Sequence, residues 1–259
     1  MAKQKPTPEE QWQTLLTEGH RKLRIARPLF GRIPSPPRCK VCHNPFGGVG
    51  GRVFRMIGQG PSRKNPTICA SCCEGLPPGG AELDIAVMFS DVRGSTGLAE
   101  RSDIASYAAL MNRFYIAATG VLVAHGALID KLIGDEVMAL FIPGITGRDY
   151  RGAAVRAGID LLRAVGYGSE QGPWLPLGVG VNAGVAYVGN VGGEGVIDFT
   201  ALGDAVNVAA RLQSMASPGE LIVRDGVVDD AADLLPGAER RTVELRGHEE
   251  AVSVLAHRP

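Results

Sequence analysis

The chain has 259 residues, of which 45% are hydrophobic, and its 27 basic side chains are balanced by 27 acidic ones. This size suits one globular domain with an appendage, and the lack of a basic excess argues against a nucleic-acid partner. The N-terminus lacks the apolar core of a secretory signal, and we find no run near the ~18 apolar residues of a membrane span. We therefore expect a cytoplasmic protein without a membrane partner.

Residues 1–38 predict a helix followed by a Pro-rich linker. Thr7 suits the N-cap, Pro8 the first helical position, and Glu10 the return bond of a capping box. Apolar residues then recur at helical spacing until Pro28, namely Trp12, Leu15, Leu16, Leu23 and Ala26. This stripe fits two arrangements, pairing with a second copy of the chain or packing on its own protein.

All five cysteines lie between Cys39 and Cys73. Two Cys-x2-Cys pairs, Cys39 with Cys42 and Cys69 with Cys72, match the knuckles that present thiolates to a tetrahedral metal ion. We predict a small metal-binding module over 39–75, separated from the rest by a linker at 76–83. A structural zinc ion is the favoured occupant, and an iron–sulfur cluster or unligated thiols are the alternatives.

The space between the two cysteine pairs contains basic residues, at Arg52, Arg55, Arg63 and Lys64. A zinc ribbon that contacts nucleic acid would carry such charges, but the segment lacks interleaved aromatic residues on which bases stack. We therefore prefer a module that regulates or orients the domain that follows it.

From Asp84 onward the sequence alternates strand and helix patterns. Strands are predicted at 84–92 and, as two strands, within 174–191; hairpins at 126–142 and 240–257; and helices at 104–124, 150–165 and 204–215. The order strand, helix, hairpin, helix, strand is that of an α+β fold with a ferredoxin-like antiparallel sheet and helices. We assign this domain to residues 84–257.

Two acidic residues end up near each other if the 126–142 hairpin lies beside the first strand. Asp91 ends the strand in "VMFSDVRGST", and Asp135 occupies the tip of the hairpin in "KLIGDEVMALF". Two convergent carboxylates can hold one or two divalent ions that bridge phosphate oxygens. Taken singly, each is also an ordinary strand-end or turn residue.

The helix in "TALGDAVNVAARLQSM" presents polar groups on one face. Asn207 and Arg211 are four residues apart, so their side chains are neighbours on the helix surface. An amide beside a planar guanidinium suits a ribose or a phosphate that gains charge during a reaction. A solvated helix face with an incidental Arg is the alternative reading.

Four motifs together carry a resemblance to a known family: "FSDVRGST", "KLIGDEVMALF", "GVGVNAGVAYVGNVG" and "FTALGDAVNVAARL". Because these motifs occur in the order and with the spacing of that family, residues 85–255 resemble a class III adenylate/guanylate cyclase catalytic domain. The resemblance implies that Asp91 and Asp135 hold two Mg²⁺ or Mn²⁺ ions, that Asn207 orients the ribose, and that Arg211 stabilises the transition state. It also implies a phosphate cradle formed by Val92, Arg93, Gly94, Ser95 and Thr96.

The same resemblance makes Lys131 and Thr200 the pair that reads the purine. Lys131 can donate to N1 of adenine, and the Thr200 hydroxyl can accept from the exocyclic amine, whereas guanine reverses both preferences. Guanylate cyclases of this family carry an acid at the position of Lys131. We therefore predict an adenylate cyclase that converts ATP to 3′,5′-cyclic AMP and pyrophosphate in signal transduction.

Thr at position 200 is similar to a subgroup that includes bicarbonate-responsive members, which makes stimulation by bicarbonate a hypothesis. Because one chain carries all six catalytic positions, the resemblance implies a head-to-tail homodimer. Asp91 and Asp135 of one copy would share each site with Lys131, Thr200, Asn207 and Arg211 of the other. No side chain is an obvious general base.

Two rival functions stay open at this point. "IGDEVMALF" is similar to the GGDEF turn of diguanylate cyclases, although the doubled Gly is missing and "VNVAARL" has no counterpart there. A catalytically silent cyclase-like module for regulation or dimerisation is the second rival. Intact Asp91, Asp135, Asn207 and Arg211 argue against it.

Overall fold

The computed structural model describes residues 7–18, 37–39, 44–62, 66–73, 79–193, 196–229, 231–245 and 250–259. The helices are α1 (Pro8–Glu18), α2 (Gly48–Met56), α3 (Ala70–Cys73), α4 (Ser95–Arg101), α5 (Ile104–Ala124), α6 (Pro143–Thr146), α7 (Tyr150–Ala164), α8 (Asp204–Met215) and α9 (Ala231–Leu234). The strands are β1 (Gly79–Val92), β2 (Leu128–Ile133), β3 (Glu136–Phe141), β4 (Leu177–Gly193), β5 (Val196–Leu202), β6 (Glu220–Arg224), β7 (Glu239–Val243) and β8 (Val252–His257).

The strands form one sheet in the order β2-β3-β1-β4-β6-β8-β7, with β5 paired to β4. Its first four strands have the ferredoxin-like arrangement, in which α5 and α7 connect strands that are not consecutive neighbours. The predicted α+β fold is confirmed. The sheet is mixed, because β4 and β6 run parallel while the other neighbours in the order are antiparallel.

One face of the sheet is covered by α5 and α7. Alternate strand residues such as Met88 and Phe141 meet helix residues such as Phe114, Leu122 and Leu161, and all of these are fully buried. This is the main apolar core of the domain that follows the cysteine module. The opposite face carries α8, which lies mainly against β4 and β1.

The helix α5 has the length and apolar composition of a membrane span, with 21 residues. Its residues Met111, Phe114, Ala118 and Leu122 recur at helical spacing and are buried in the domain core. The core helix of a globular domain passes the same test of length and composition. In α5, 22% of the apolar window is buried in this way, so packing on the sheet accounts for part of its apolar composition.

Three features of the strands differ from the sequence prediction. β1 begins at Gly79, so the predicted linker at 76–83 extends into a strand that pairs with the second half of β4. The two strands predicted within 174–191 are one continuous strand, and β5 and β6 were missed. The glycines of β4 mark close packing: a Cβ at Gly180 would collide with the backbone of α8 at Ala209 and Gln213.

The N-terminal helix packs on its own chain through Trp12 and Leu16. Thr7 and Glu10 form the predicted capping box, since the Glu10 amide donates to Thr7 Oγ1 at 3.2 Å and the Thr7 amide to Glu10 Oε2 at 2.9 Å. Trp12 and Leu16 are buried, and the Trp12 ring stacks on Phe199 of β5 at a centroid distance of 6.1 Å. The predicted continuation through Leu23 and Ala26 lies outside the described residues.

The cysteine module shares its core with the eight-stranded sheet. Phe46, Ile68, Cys39 and Cys69 belong to the same buried cluster as Trp12 and the α8-side face of the sheet. A separate small unit was expected from the Pro-rich segments on either side. The module has too few apolar residues for a core of its own, so it completes that core by packing on the larger domain.

Candidate active site

Asp91 and Asp135 come together at the end of β1. β1 pairs with β3, and in this register Asp91 lies opposite Glu136, the residue after Asp135. The Val92 amide also donates to the Asp135 carbonyl at 3.3 Å, which ties the strand end to the hairpin turn. The hairpin thus lies where the sequence analysis required it for the two carboxylates to converge.

The pKa of the Asp91 carboxyl is raised from 3.8 to about 6. Burial is the largest cause, followed by a hydrogen bond and charge repulsion from Asp135, while Arg93 and the amide of Gln213 partly offset the rise. Burial, and then the charge of Asp135, also raise the pKa of Glu136. Converging carboxylate oxygens are the donor set that Mg²⁺ and Mn²⁺ prefer, so these residues fit the two divalent ions that the sequence resemblance implies.

In the predicted phosphate cradle at residues 92–96, the backbone amides of the first two residues already donate to other parts of the chain. The amides of Val92 and Arg93 donate to backbone carbonyls of the chain, at Asp135 and Pro176, and so are engaged internally. Gly94 then adopts a left-handed conformation with φ of 70°, and α4 begins at Ser95. The first amides of a helix have no intrahelical acceptor, which leaves the start of α4 as the part of this loop suited to an anion.

The Arg93 side chain anchors the end of α8. Its Nη2 donates to the Gln213 carbonyl at 2.7 Å and its Nη1 to the Ser214 carbonyl at 3.3 Å, and Nη2 lies 3.6 Å from Asp91 Oδ2. A cation at the last carbonyls of a helix also complements the helix dipole. Arg93 therefore fixes α8 relative to the Asp91 carboxylate, a role that the sequence analysis did not anticipate.

Lys131 of β2 and Thr200 of β5 are in contact, although their strands are not neighbours in the sheet. Lys131 Nζ donates to Thr200 Oγ1 at 3.2 Å, to Asp198 Oδ2 at 2.6 Å and to Asp130 Oδ1 at 3.3 Å. Burial opposes the charge of Lys131, but hydrogen bonds with Asp198 and Asp130 outweigh it and raise its pKa. The predicted purine-reading pair is thus assembled within one chain.

Asn207 and Arg211 occupy a face of α8 that points away from Asp91. Gln213 is buried and approaches Asp91, whereas Asn207 is exposed and Arg211 is half-buried. Arg211 and Gln213 are two residues apart, which places their side chains about 200° apart around the helix axis. The carboxylate pair and the Asn207–Arg211 pair of one chain therefore face in different directions.

A hydrogen bond from a buried side chain fixes the first turn of α8. The side-chain amide of Asn182, fully buried on β4, donates to the Ala205 carbonyl at 2.9 Å. Together with Arg93 at the other end, this bond holds the helix that carries Asn207 and Arg211 against the sheet.

The structure brings three acidic residues into the site that sequence reasoning missed: Asp130, Asp198 and Glu136. The Asp130 side chain is fully buried, and its Oδ2 accepts from the Thr200 hydroxyl at 2.6 Å. A carboxylate inside an otherwise apolar strand, in "GALIDKLI", was an available signal, because a buried acid requires a partner. Asp198 gave no such signal, since β5 itself was not predicted.

Three cysteines form a second candidate metal centre, remote in sequence from the carboxylates. The Sγ atoms of Cys39, Cys69 and Cys72 all lie within 4.8 Å of one another, and the Cys69 amide donates to Cys39 Sγ at 3.3 Å. Sulfur ligands of a tetrahedral zinc ion lie ~3.8 Å apart, so the three thiols fit such an ion. Cys42, the fourth predicted ligand, lies outside the described residues.

Residues 81–256 match the family model of the Adenylate and Guanylate cyclase catalytic domain. The chain belongs to this family. Among solved structures, the cyclase domain is similar to the guanylyl cyclase Cya2, with 27% identity, a TM-score of 0.61, and coverage of 69% of this chain and 93% of that one. It is also similar to the adenylyl cyclase CyaB from P. aeruginosa, with 28% identity, a TM-score of 0.57, and coverage of 68% and 93%.

Curated relatives include the uncharacterized protein Rv1319c of Mycobacterium tuberculosis, which is 32% identical over 212 residues. The match covers 78% of this chain and 36% of that protein. A second uncharacterized protein of the same organism, Rv1318c, is 34% identical over 187 residues, covering 67% and 32%. The chain thus spans about a third of the length of these relatives. The cyclase domain assigns it to the nucleotide cyclases, and the similar structures include both adenylyl and guanylyl enzymes.

Proposed function

We propose that the protein is an adenylate cyclase that converts ATP to 3′,5′-cyclic AMP and pyrophosphate in signal transduction. The observation that carries this proposal is the contact between Lys131 and Thr200. An ammonium that donates to adenine N1 and a hydroxyl that accepts from its exocyclic amine match the edge of adenine. The same two groups oppose guanine, whose N1 carries a hydrogen and whose position 6 is an acceptor.

Cyclisation requires the ribose 3′-hydroxyl to attack the α-phosphorus in line while pyrophosphate departs. Most of the catalysis is therefore positioning and charge stabilisation. In our proposal Asn207 orients the ribose and Arg211 faces the charge that develops at the α-phosphoryl group. Asp91 and Asp135 would hold two Mg²⁺ or Mn²⁺ ions, which supply a lower pKa for the 3′-hydroxyl and neutralise the leaving phosphates. We assign no side chain as a general base.

We further propose that the active unit is a head-to-tail homodimer with two shared sites. In one chain, Asn207 and Arg211 point away from the face of α8 that approaches Asp91, which supports this proposal. A second copy, related by a two-fold axis, would bring its own Asn207 and Arg211 to the carboxylates of the first. Each copy would then contribute the metal-binding half of one site and the nucleotide-orienting half of the other.

Product analysis tests the proposed reaction. The purified chain is given ATP or GTP with Mg²⁺ or Mn²⁺, and the products are identified by mass, with Asp91→Ala as the blank. The proposal expects cyclic AMP and an equal amount of pyrophosphate from ATP, and little product from GTP. Cyclic GMP or cyclic di-GMP as the main product would replace the adenylate assignment. Absence of any cyclic product would favour a catalytically silent regulatory module.

We also propose that the cysteine cluster holds a structural zinc ion, with Cys42 as the fourth ligand of Cys39, Cys69 and Cys72. The support is the proximity of the three described thiols and the amide that donates to one of them. A colourless protein with one equivalent of zinc is the expected result. Visible absorbance with bound iron and sulfide would instead assign an iron–sulfur cluster, and Cys39→Ser should lower the content of whichever metal is present.

A further inference from the structure

The hydroxyl group of Thr200 has two polar neighbours that differ in what they can do. On one side lies Asp130 Oδ2, at 2.6 Å, and on the other lies Lys131 Nζ, at 3.2 Å. An ionised carboxylate only accepts hydrogen bonds, and an ammonium only donates them. The Thr200 hydroxyl must therefore give its single proton to Asp130 and accept from Lys131.

This arrangement leaves one lone pair of the Thr200 oxygen for a ligand, and no proton. A threonine with a free hydroxyl is ambivalent, because it can accept from the amine of adenine or donate to the oxygen of a 6-oxopurine. We propose that Asp130 is a positioning residue that makes Thr200 an obligate acceptor, so that the site selects 6-aminopurine nucleotides over 6-oxopurine nucleotides. This inference rests on the proposed adenylate cyclase function and extends it to a residue outside the predicted site.

Burial makes the effect of Asp130 strong. Its side chain is fully buried, whereas the side chains of Lys131 and Asp198 are exposed by 35% and 47%. Water therefore does not compete for the carboxylate, and the bond from Thr200 is persistent. Asp130 also accepts from Lys131 at 3.3 Å, so one carboxylate fixes the orientation of both purine-reading groups.

The substitution Asp130→Asn reverses the polarity at Thr200 with little change in shape. The Lys131 ammonium carries only donors and would repel the NH₂ group, so the carboxamide oxygen of the new residue turns toward Lys131 and the NH₂ group turns toward Thr200. The hydroxyl then accepts from the carboxamide, and its proton is released toward the nucleotide. The contact with adenine becomes unfavourable and the contact with a 6-oxopurine becomes favourable.

The test compares ATP with ITP, whose base carries an oxygen at position 6 and a hydrogen at N1. The ratio of kcat/KM for ATP to that for ITP is measured in the wild type and in Asp130→Asn. Because Asp130 contacts both Thr200 and Lys131, a change in the ratio reports on the orientation of this pair, and a second substitution at position 200 assigns it to Thr200. We expect the ratio to fall about 10- to 100-fold, as for the exchange of a satisfied hydrogen bond for an unsatisfied one.

A second substitution separates this role from a purely structural one. Thr200→Asp, introduced into the Asp130→Asn background, places an acceptor at position 200 that needs no neighbour to fix its polarity. We expect the double variant to recover most of the preference for ATP. Loss of stability in Asp130→Asn lowers the activity with both nucleotides and leaves the ratio unchanged, and circular dichroism verifies that each variant is folded.

The outcomes distinguish the inference from the function on which it rests. Displacement of a fluorescent nucleotide by ATP or ITP gives the ratio of the two dissociation constants, so the preference is also measured without turnover. If the wild type prefers ITP or fails to discriminate, the adenylate assignment fails and the inference fails with it. If the wild type prefers ATP and folded Asp130→Asn keeps the same ratio, the role of Asp130 is refuted and the adenylate cyclase stands.

Discussion

Asp91→Asn should stabilise the metal-free protein while it removes a metal ligand. In the folded chain the Asp91 carboxyl has a pKa of about 6, against 3.8 in its ordinary state, mainly because of burial and then because of Asp135. An acid whose folded pKa is raised binds protons more tightly in the folded state. Its ionisation therefore lowers the free energy of unfolding as the pH rises from about 4 through 6.

The size of the expected stabilisation follows from the shift in the pKa of Asp91. A rise in pKa from 3.8 to about 6 corresponds to roughly 3 kcal/mol of destabilisation above pH 6. The Asp91 side chain is 25% exposed, and the replacing amide also loses some hydration on burial, so we expect a gain of about 1–3 kcal/mol for Asp91→Asn at pH 8. The gain should vanish near pH 4, where Asp91 of the wild type is protonated.

The assay is urea unfolding in EDTA at several pH values between 4 and 8. A matched control is Asp84→Asn, on the same strand, because Asp84 accepts from Arg151 Nη2 at 2.7 Å and should lose stability. Mn²⁺ should then raise the unfolding midpoint of the wild type more than that of Asp91→Asn. An Asp91→Asn protein that is less stable than the wild type at pH 8, or whose difference does not depend on pH, would refute the reasoning.

Two further predictions concern stability. Trp12→Ala should remove the stack on Phe199 and leave a cavity between α1 and the sheet, which lowers the free energy of unfolding by about 3–5 kcal/mol. Urea unfolding measures it, and a loss below about 1 kcal/mol would mean that α1 does not pack as described. Arg241→Ala should cost about 1–3 kcal/mol, because Glu220 Oε1, in a side chain 1% exposed, loses the donor at 3.0 Å and keeps only the longer bond from Arg258 Nη2 at 3.5 Å. Adding Glu220→Gln should recover part of that loss, and additivity of the two changes would contradict the pairing.

Much of the fold was predictable from the sequence, because many of its features depend on residues only a few positions apart. The capping box at Thr7 and Glu10 and the apolar spacing of α5 depend on neighbours within a few residues, and both agree with the structure. The convergence of Asp91 and Asp135 was also predictable, because a hairpin beside the first strand places its turn at that strand's end.

The predictions that were wrong or incomplete concern features that depend on contacts between residues distant in the sequence. The segment of β4 was predicted as two strands, but it is one strand whose Gly180 permits α8 to approach closely, which no local pattern reveals. The Pro-rich segments suggested a separate cysteine module, but its buried residues share a cluster with Trp12 and the sheet, which lie in other segments of the chain. Asp130 belongs to the site because it accepts a hydrogen bond from Thr200, which is 70 residues away in the sequence.

The measurement that tests the central claim most directly is the formation of cyclic AMP from ATP by a mixture of Asp91→Ala and Asn207→Ala. Each variant alone should be inactive, because each spoils both sites of its homodimer. In an equal mixture half of the dimers are mixed, and each mixed dimer keeps one intact site, so we expect about a quarter of the wild-type activity. Cyclic AMP at the level of the separate variants would contradict the shared-site cyclase.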